Sequence, residues 1–420
     1  MKLFVLVLLA LLIPTRPLFA EFALTLDEAL TAALKNHPQI VEAKENLNGA
    51  EAGTGLALSN YYPQVSIIAD WNRSRSYFTA LQGIKTTEVN SEVLYLKQSI
   101  YDFGRTSGAI EAARSNRDAV NKTLTLTRQE VTLRVKSTFY LLLAAEKQAV
   151  VVRETVKARG QVYQQAQEFF TQGIRAKVDV ARAKANYFTA RTALIRAENN
   201  LEIARVELAN AMGMASLGER SLAEPSAVAF LPMPERSQAQ QDALRHRAEL
   251  HQLSGLQAAA SANLKTARGS YLPILSGTAS AGYAGRDFPP TDNVWGVGLN
   301  LTMPLFSGFS SGEQIREANA KISAIAVRQN YLKLQIIKEV ESAWLGGNEA
   351  AARMVSTEKE VAAADENKAL AEGRYHEGVG SIIEVTDAQT EALAAQTAHI
   401  QARYDYYTAM ARLDRAVGKE

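Results

Sequence analysis

The sequence predicts a mainly α chain with a small β part, built from one large unit repeated in tandem. Three observations predict it. A series of short motifs recurs in the same order, two long spans carry no proline, and runs of apolar/polar alternation precede each span. Phe103-Gly104-Arg105-Thr106-Ser107-Gly108 is answered by Ser307-Gly308-Phe309-Ser310-Ser311-Gly312. Phe169 to Gly173 is answered by Arg374 to Gly378, Val178-Asp179-Val180 by Ile383-Glu384-Val385, and Leu208 to Gly213 by Leu413 to Gly418. The offset is about 205 residues, far beyond the period of a solenoid. The repeats are assigned to 21–213 and 238–420, with a linker at 214–237 that holds Pro225, Pro232 and Pro234. Units of this make suggest a tube assembled from copies.

The chain opens on a targeting signal. Lys2 supplies a positive start, Leu3 to Ile13 is an unbroken apolar run, and Ala20 suits the last residue before cleavage. The run is too short for a membrane-spanning helix of about 20 residues. Residues 1–20 are therefore read as a secretory signal peptide. The 420 residues include no cysteine, so an exported chain of this size relies on packing or oligomerisation. No later apolar run approaches a transmembrane helix. Entry into a membrane would require a β-barrel, the other structure that satisfies every backbone group.

The helices follow from proline placement and period. None of the 11 prolines falls between Gln64 and Glu224 or after Pro304. A proline inside a helix costs about 3 kcal/mol, so these spans permit long helices. Val131, Val135, Thr138, Leu142, Ala145, Ala149, Val152 and Val156 step by alternating four and three, a coiled-coil seam. Ile322, Ile325, Gln329, Leu332 and Ile336 do the same in the second repeat. A helix from Ala109 to Gln172 would run about 95 Å. Gly173 breaks it, and Val178 to Met212 returns; Gly378 is the hairpin-tip glycine of the second repeat. Each repeat thus holds a long antiparallel αα-hairpin.

Two strand candidates precede each hairpin. Trp295, Val297, Leu299, Leu301 and Met303 alternate with Gly296, Gly298, Asn300 and Thr302, the pattern of a membrane barrel. Leu275 to Tyr283 is a weaker copy, and Val65, Ile67, Ala69 and Trp71 against Ser66, Asp70 and Asn72 a fair one. Val89 to Ile100 has no clear facing parity. Alternation alone fits a soluble pair of hairpins as well. Trp71, Tyr283 and Trp295 suit an interfacial aromatic belt, and also an ordinary core. Arg73–Glu88 and Ala284–Asn293 read as exposed loops.

Chemistry is sparse. The 46 basic and 44 acidic residues are interleaved along helices, which argues against nucleic acid. Five histidines are scattered with no metal-ligand spacing, and no phosphate loop, dinucleotide fingerprint or nucleophile elbow occurs. No catalytic, cofactor-binding or metal residues are assigned, and the chain is not expected to be an enzyme. Asp179 follows Gly173; Glu384 and Asp387 follow Gly378 and share a helix face. In one copy these acids are a solvated helix start. In a ring of copies they would line an opening and favour cations.

The sequence resembles the TolC-type outer membrane efflux protein family. The residues that carry this are Leu26-Asp27-Glu28-Ala29-Leu30, Asn36-His37-Pro38-Gln39-Ile40, Tyr61-Tyr62-Pro63, Tyr271-Leu272-Pro273, Ser99 to Gly104, Met303 to Gly308, and both hairpin tips. The resemblance implies a homotrimer in the outer membrane lipid of a Gram-negative bacterium. Each protomer would give four strands to a twelve-stranded transmembrane β-barrel and its hairpins to a helical barrel, the periplasmic tunnel. It implies a passive exit duct for a tripartite efflux pump or a type I secretion system, coupled through a periplasmic adaptor (membrane fusion) protein to an inner-membrane pump of RND or ABC type. By motif position, closure near the tips falls to Tyr375, Glu384 and Asp387, with Asp179 in the first hairpin. A basic residue that closes some members falls at Gly380, which cannot supply it. The lipid-facing residues would be Trp71, Tyr283, Trp295, Val297, Leu299 and Leu301. The rival expectation is a soluble periplasmic coiled-coil scaffold or adaptor protein, which also carries long hairpins.

Overall fold

The computed structural model describes residues 23–78, 82–218, 220–224 and 233–419. The expected signal peptide and, in the expected linker, Pro225 and Pro232 lie outside them. Two short helices, α1 (Leu26–Asn36) and α2 (Pro38–Ser59), lead into strands β1 (Gln64–Phe78) and β2 (Gly83–Tyr101). Helices α3 (Arg105–Thr171) and α4 (Lys177–Ala211) follow. The order recurs as α5 (Arg236–His246), α6 (Ala248–Gly269), β3 (Ile274–Gly285), β4 (Asp292–Thr302), α7 (Ser310–His376) and α8 (Ile382–Val417). The expected class, mainly α with four strands, is the one observed. Helices α3 and α7 each run 67 residues without interruption.

The seam read from the sequence is the buried face of α3: Val131, Val135, Leu142, Ala149 and Val152 are nearly inaccessible. A second regularity was not read. On α4, Ala183, Ala190, Ala197, Ala204 and Ala211 recur every seventh residue, and all are buried. On α8, Ala388, Ala395 and Ala402 do the same. Alanine at every second turn of a seam lets helix backbones approach closely while keeping full helix propensity.

The chain separates into two compact units, each drawing on both repeats. The first takes the chain up to Ala33, Val135–Leu231 and Thr357–Tyr404. One of its cores joins Val162, Ala166 and Ala183 to Ala371, Tyr375, Ile382, Val385 and Ala388. The linker is fastened within this unit. Leu24 pairs with Leu222 in a parallel bridge, and the Glu224 carboxylate lies between Lys147 and Arg403.

The second unit takes Leu34–Arg134, Pro232–Ser356 and Asp405–Glu420. Its helical core gathers Ala239, Ala243, Ile336, Val340, Leu413, Ala416 and Val417. Here α3 and α6 touch backbone to backbone. A Cβ on Gly255 would lie 3.2 Å from the Ser115 carbonyl and the Ala119 nitrogen. The buried Arg247 guanidinium donates to Glu249 at 2.7 Å, to Glu339 at 2.7 Å and to the Ala416 carbonyl at 3.2 Å, so its charge is paired on both sides.

The sheet also belongs to the second unit. Its order is β1-β2-β3-β4, antiparallel throughout, so β1 and β4 are unpaired edges. One expectation is corrected. Arg73–Phe78 and Gly83–Glu88 are not loop but a paired ribbon in which Arg73 faces Glu88, Arg75 faces Thr86 and Tyr77 faces Ile84. The polar side chains hid it, because a ribbon with no buried face needs no apolar alternation. Likewise β3 reaches Gly285 and β4 begins at Asp292, which shortens the second expected loop from both ends.

Candidate functional site

The register assigns the paired strand residues to faces, with one shift in β2 between Ser99 and Tyr101. Val65, Ile67, Ala69 and Trp71 stand beside Leu96, Leu94, Glu92 and Asn90. These continue to Ala279, Ala281, Tyr283 and Gly285 on β3. Ala279 and Ala281 face Val297 and Trp295, while Leu275 and Gly277 face Leu301 and Leu299. This face is apolar, yet Trp295, Val297, Leu299 and Leu301 are 67–77% exposed. Trp71 and Tyr283 are more than half exposed at the same end of the sheet. The parity of β2, ambiguous in the sequence, is settled by its neighbours: Leu94 and Leu96 join the apolar face, and Glu92 and Asn90 sit at the aromatic end of it.

The opposite face carries Ser66, Asp70 and Asn72, then Ser91, Tyr95 and Lys97, then Ser276, Thr278 and Ser280, then Gly296, Gly298 and Asn300. Apolar residues on this face include Val89, Val294, Ile274, and Ile68 and Val93, the last two paired with each other. Gly282 makes room beside Val93, since a Cβ there would fall 2.1 Å from the Glu92 carbonyl oxygen. At the strand–helix junctions a second group of exposed aromatics appears: Tyr62, Tyr101, Tyr271, Phe306 and Phe309. Sequence reasoning missed this belt, although each member lies within a few residues of Pro63, Pro273, Pro304 or the end of β2. An exposed apolar band between two aromatic girdles, with a polar reverse side, is the signature of a membrane β-barrel wall.

At the other functional candidate, each hairpin turns through a left-handed glycine, Gly173 at φ +73° and Gly378 at φ +76°. The Gly173 N–H donates to the Phe170 carbonyl at 3.0 Å, and the Gly378 N–H to the Tyr375 carbonyl at 3.0 Å. The same C-terminal cap is therefore built twice. Tyr375 lies inside the tip core, 1% exposed, with the Phe169 ring 5.8 Å away at an edge-on angle. Its hydroxyl is buried with no hydrogen-bond partner. Burial pushes this phenol above its ordinary range; the Asp179 charge pushes the same way and Arg175 opposes them. Asp179 is half-buried in the first turn of α4. Glu384 and Asp387 are exposed on one face of α8. The Glu384 carboxylate pairs with Arg374 at 3.4 Å, whereas Asp387 has no ion pair among the described residues.

Gly380 explains its own lack of a side chain. A Cβ there would sit 2.9 Å from the Arg374 carbonyl carbon and the Tyr375 nitrogen, so the chain folds back onto α7 with no room to spare. The equivalent position of the first repeat, two residues after Gly173, is Arg175. Its guanidinium reaches the second tip and donates through Nη2 to the carbonyls of Gly378 at 2.9 Å and Gly380 at 2.6 Å. Sequence reasoning missed Arg175, although the repeat offset pointed to it. Among the described residues no cluster of His, Cys, Asp or Glu could hold a metal ion, and no helix is long and apolar enough to cross a membrane.

The profile of the family described as "Outer membrane efflux protein" matches residues 29–214 and 239–419, nearly all of both repeats. The chain belongs to that family. It is 25% identical over 407 residues to the outer membrane efflux protein BepC of Brucella suis, across 95% of this chain and 86% of that one. To the outer membrane protein TolC of Vibrio cholerae it is 24% identical, across 95% and 92% of the two chains. The crystal structure of the CmeC outer membrane channel of Campylobacter jejuni superposes with a TM-score of 0.84 at 18% identity, over 94% of this chain and 85% of that one. This efflux-family member is therefore an outer-membrane channel of the efflux and secretion class, and not an enzyme. Its exposed apolar sheet face accords with that family and not with the rival soluble adaptor.

Proposed function

We propose that this chain is the exit duct of a tripartite export machine, working as a homotrimer. The sheet is the observation that carries the reading. Four strands with two free edges cannot lie in lipid, because each unpaired backbone group there costs several kcal/mol. Two copies would make a barrel of about eight strands, whose interior side chains fill. Three copies give about twelve strands and a water-filled lumen. Its wall would be the Ser, Thr, Asn and Gly face. The hairpins would then extend on the periplasmic side, the side from which the chain is delivered by its signal peptide. A periplasmic adaptor would grip them and couple the duct to an RND-type or ABC-type inner-membrane pump, which supplies the energy.

The gate in this reading is at the hairpin tips. Three copies of the α8 start would face one another, bringing Glu384 and Asp387 to the constriction. The Glu384 charge is partly offset by Arg374. That of Asp387 is not, so cation selectivity falls mainly to Asp387. The test is conductance in planar bilayers with cross-linked, size-defined trimers. Asp387→Asn should lower the cation-to-anion permeability ratio severalfold, and Glu384→Gln should change it little. A wild-type channel without cation preference would remove the ring of acids. A monomer in detergent, released from membranes by carbonate, would remove the duct itself.

A further inference from the structure

We propose that Arg175 is the latch that binds the two hairpin tips of one protomer into a single moving body. This rests on the reading of the tips as the gate and specifies how that gate is held. The guanidinium belongs to the first hairpin and spends both protons of Nη2 on the second, at the Gly378 and Gly380 carbonyls. Those carbonyls are the outermost turn of the α7–α8 connection. Its Cζ lies 6.0 Å from the centre of the Tyr375 ring, at the outer limit of a cation–π contact. The ring in turn is held edge-on by Phe169, again from the first hairpin. One cation thus engages the second tip through its backbone and through its largest buried side chain.

The acceptors distinguish this contact from the other charge contact at the tips. Arg374 and Glu384 form an ion pair on the second hairpin alone, with both side chains about half exposed. Such a pair is screened by salt and constrains nothing between hairpins. The Arg175 bonds cross between hairpins and end on backbone carbonyls, which neither titrate nor rotate away. Gly380 makes the geometry possible: with no Cβ, residue 380 packs against Arg374 and Tyr375, donates its N–H to the Arg374 carbonyl at 2.8 Å, and presents its own carbonyl to the guanidinium. The charge comes from the first hairpin because the second has no space for a side chain at the equivalent position.

The expected consequence is that neither tip of a protomer can open by itself while the latch holds, so its loss favours the open state. Hydrogen bonds to a charged group are about twice as strong as those between neutral groups. With discounting for a half-buried site, Arg175→Ala should raise the open probability of reconstituted trimers about tenfold. Arg175→Lys keeps the charge, but its shorter side chain with a tetrahedral ammonium does not place two protons where Nη2 does, and it should fall between. The chain has no cysteine, so spin labels at Ile174→Cys and Val379→Cys, both exposed tip positions, report the distance between tips directly. The distribution should be narrow in the parent and broad in Arg175→Ala. Should Arg175→Ala fail to assemble, Arg175→Lys carries the same two measurements. Parent-like open probability and an unbroadened distance would overturn the latch while leaving the channel standing. An Arg175→Lys variant as closed as the parent would show that charge alone suffices, and would overturn the role given to the guanidinium. If the parent protein conducts nothing, the channel reading itself is what fails.

Discussion

Replacing Leu299 by arginine tests which face of the sheet meets lipid. Leu299 lies four residues beyond Trp295 on the same face of β4, paired with Gly277, and is 75% exposed. At about 3.3 Å per residue and a tilt of about 40°, that places it about 10 Å deeper than the Trp295 girdle. An outer-membrane apolar band is about 25 Å tall, so Leu299 sits near its midplane. An arginine facing lipid there costs about 2–4 kcal/mol per copy, or about 6–12 kcal/mol for a trimer. Even the lower figure shifts the folded population of one copy about thirtyfold. Asn300→Arg places the same charge one residue on, facing the polar side, where water accommodates it. The assay compares the outer-membrane yield of the two variants and their mobility on gels before and after heating. Leu299→Arg should be scarce and heat-labile, and Asn300→Arg close to the parent. The reverse outcome, or two equally tolerated variants, would refute the facing derived from the strand register.

Two further outcomes follow from packing and from pH. Gly255→Leu drives a side chain into the Ser115–Ala119 backbone of α3, and should cost about 1–3 kcal/mol and lower the thermal midpoint by several degrees; Gly255→Ala should be nearly neutral, because its helix propensity offsets a tight contact. The hydrogen bond from Lys147 holds the Glu224 carboxyl below its ordinary range, with the Lys147 and Arg403 charges adding to it and burial opposing. A depressed carboxyl contributes stability above its unfolded pKa that is lost as pH falls through the folded one. Protection of the Leu24 and Ala223 amides against hydrogen exchange should therefore be higher in the parent than in Glu224→Gln at neutral pH. That gap should close as pH falls below the ordinary carboxyl value of 4.5. A gap that persists in acid would mean the linker is fastened by something other than this carboxylate.

The helices were legible because their signals are local. Proline absence over Gln64–Glu224 and the Val131–Val156 seam depend only on neighbours in sequence, and they placed α3 and α4 within a few residues. The apolar face of β4 was legible for the same reason. The parity of β2 was not, because Glu92 and Asn90 share a face with Leu94 and Leu96, and only pairing with Ile67 and Ala281 shows that this face is the apolar one. The extension of β1 past Trp71 was hidden by side chains that have no buried side to declare. At the tips, the sequence marks the turn glycines and the acids of α8. It does not show that Tyr375 is sealed in a core or that Arg175 crosses to the other hairpin. Both depend on which residues meet across about 200 positions of chain, information that periodicity does not carry.

The ribbon at the far end of β1 and β2 has one more consequence. Past the pairing of Asn90 with Gly285, Asn72–Phe78 and Gly83–Val89 have no third strand beside them, and Tyr77 and Ile84 stand uncovered. If the hairpins lie on the periplasmic side as proposed, this ribbon faces the outside of the cell. An antibody raised against its Tyr77 and Ile84 end should then bind intact cells.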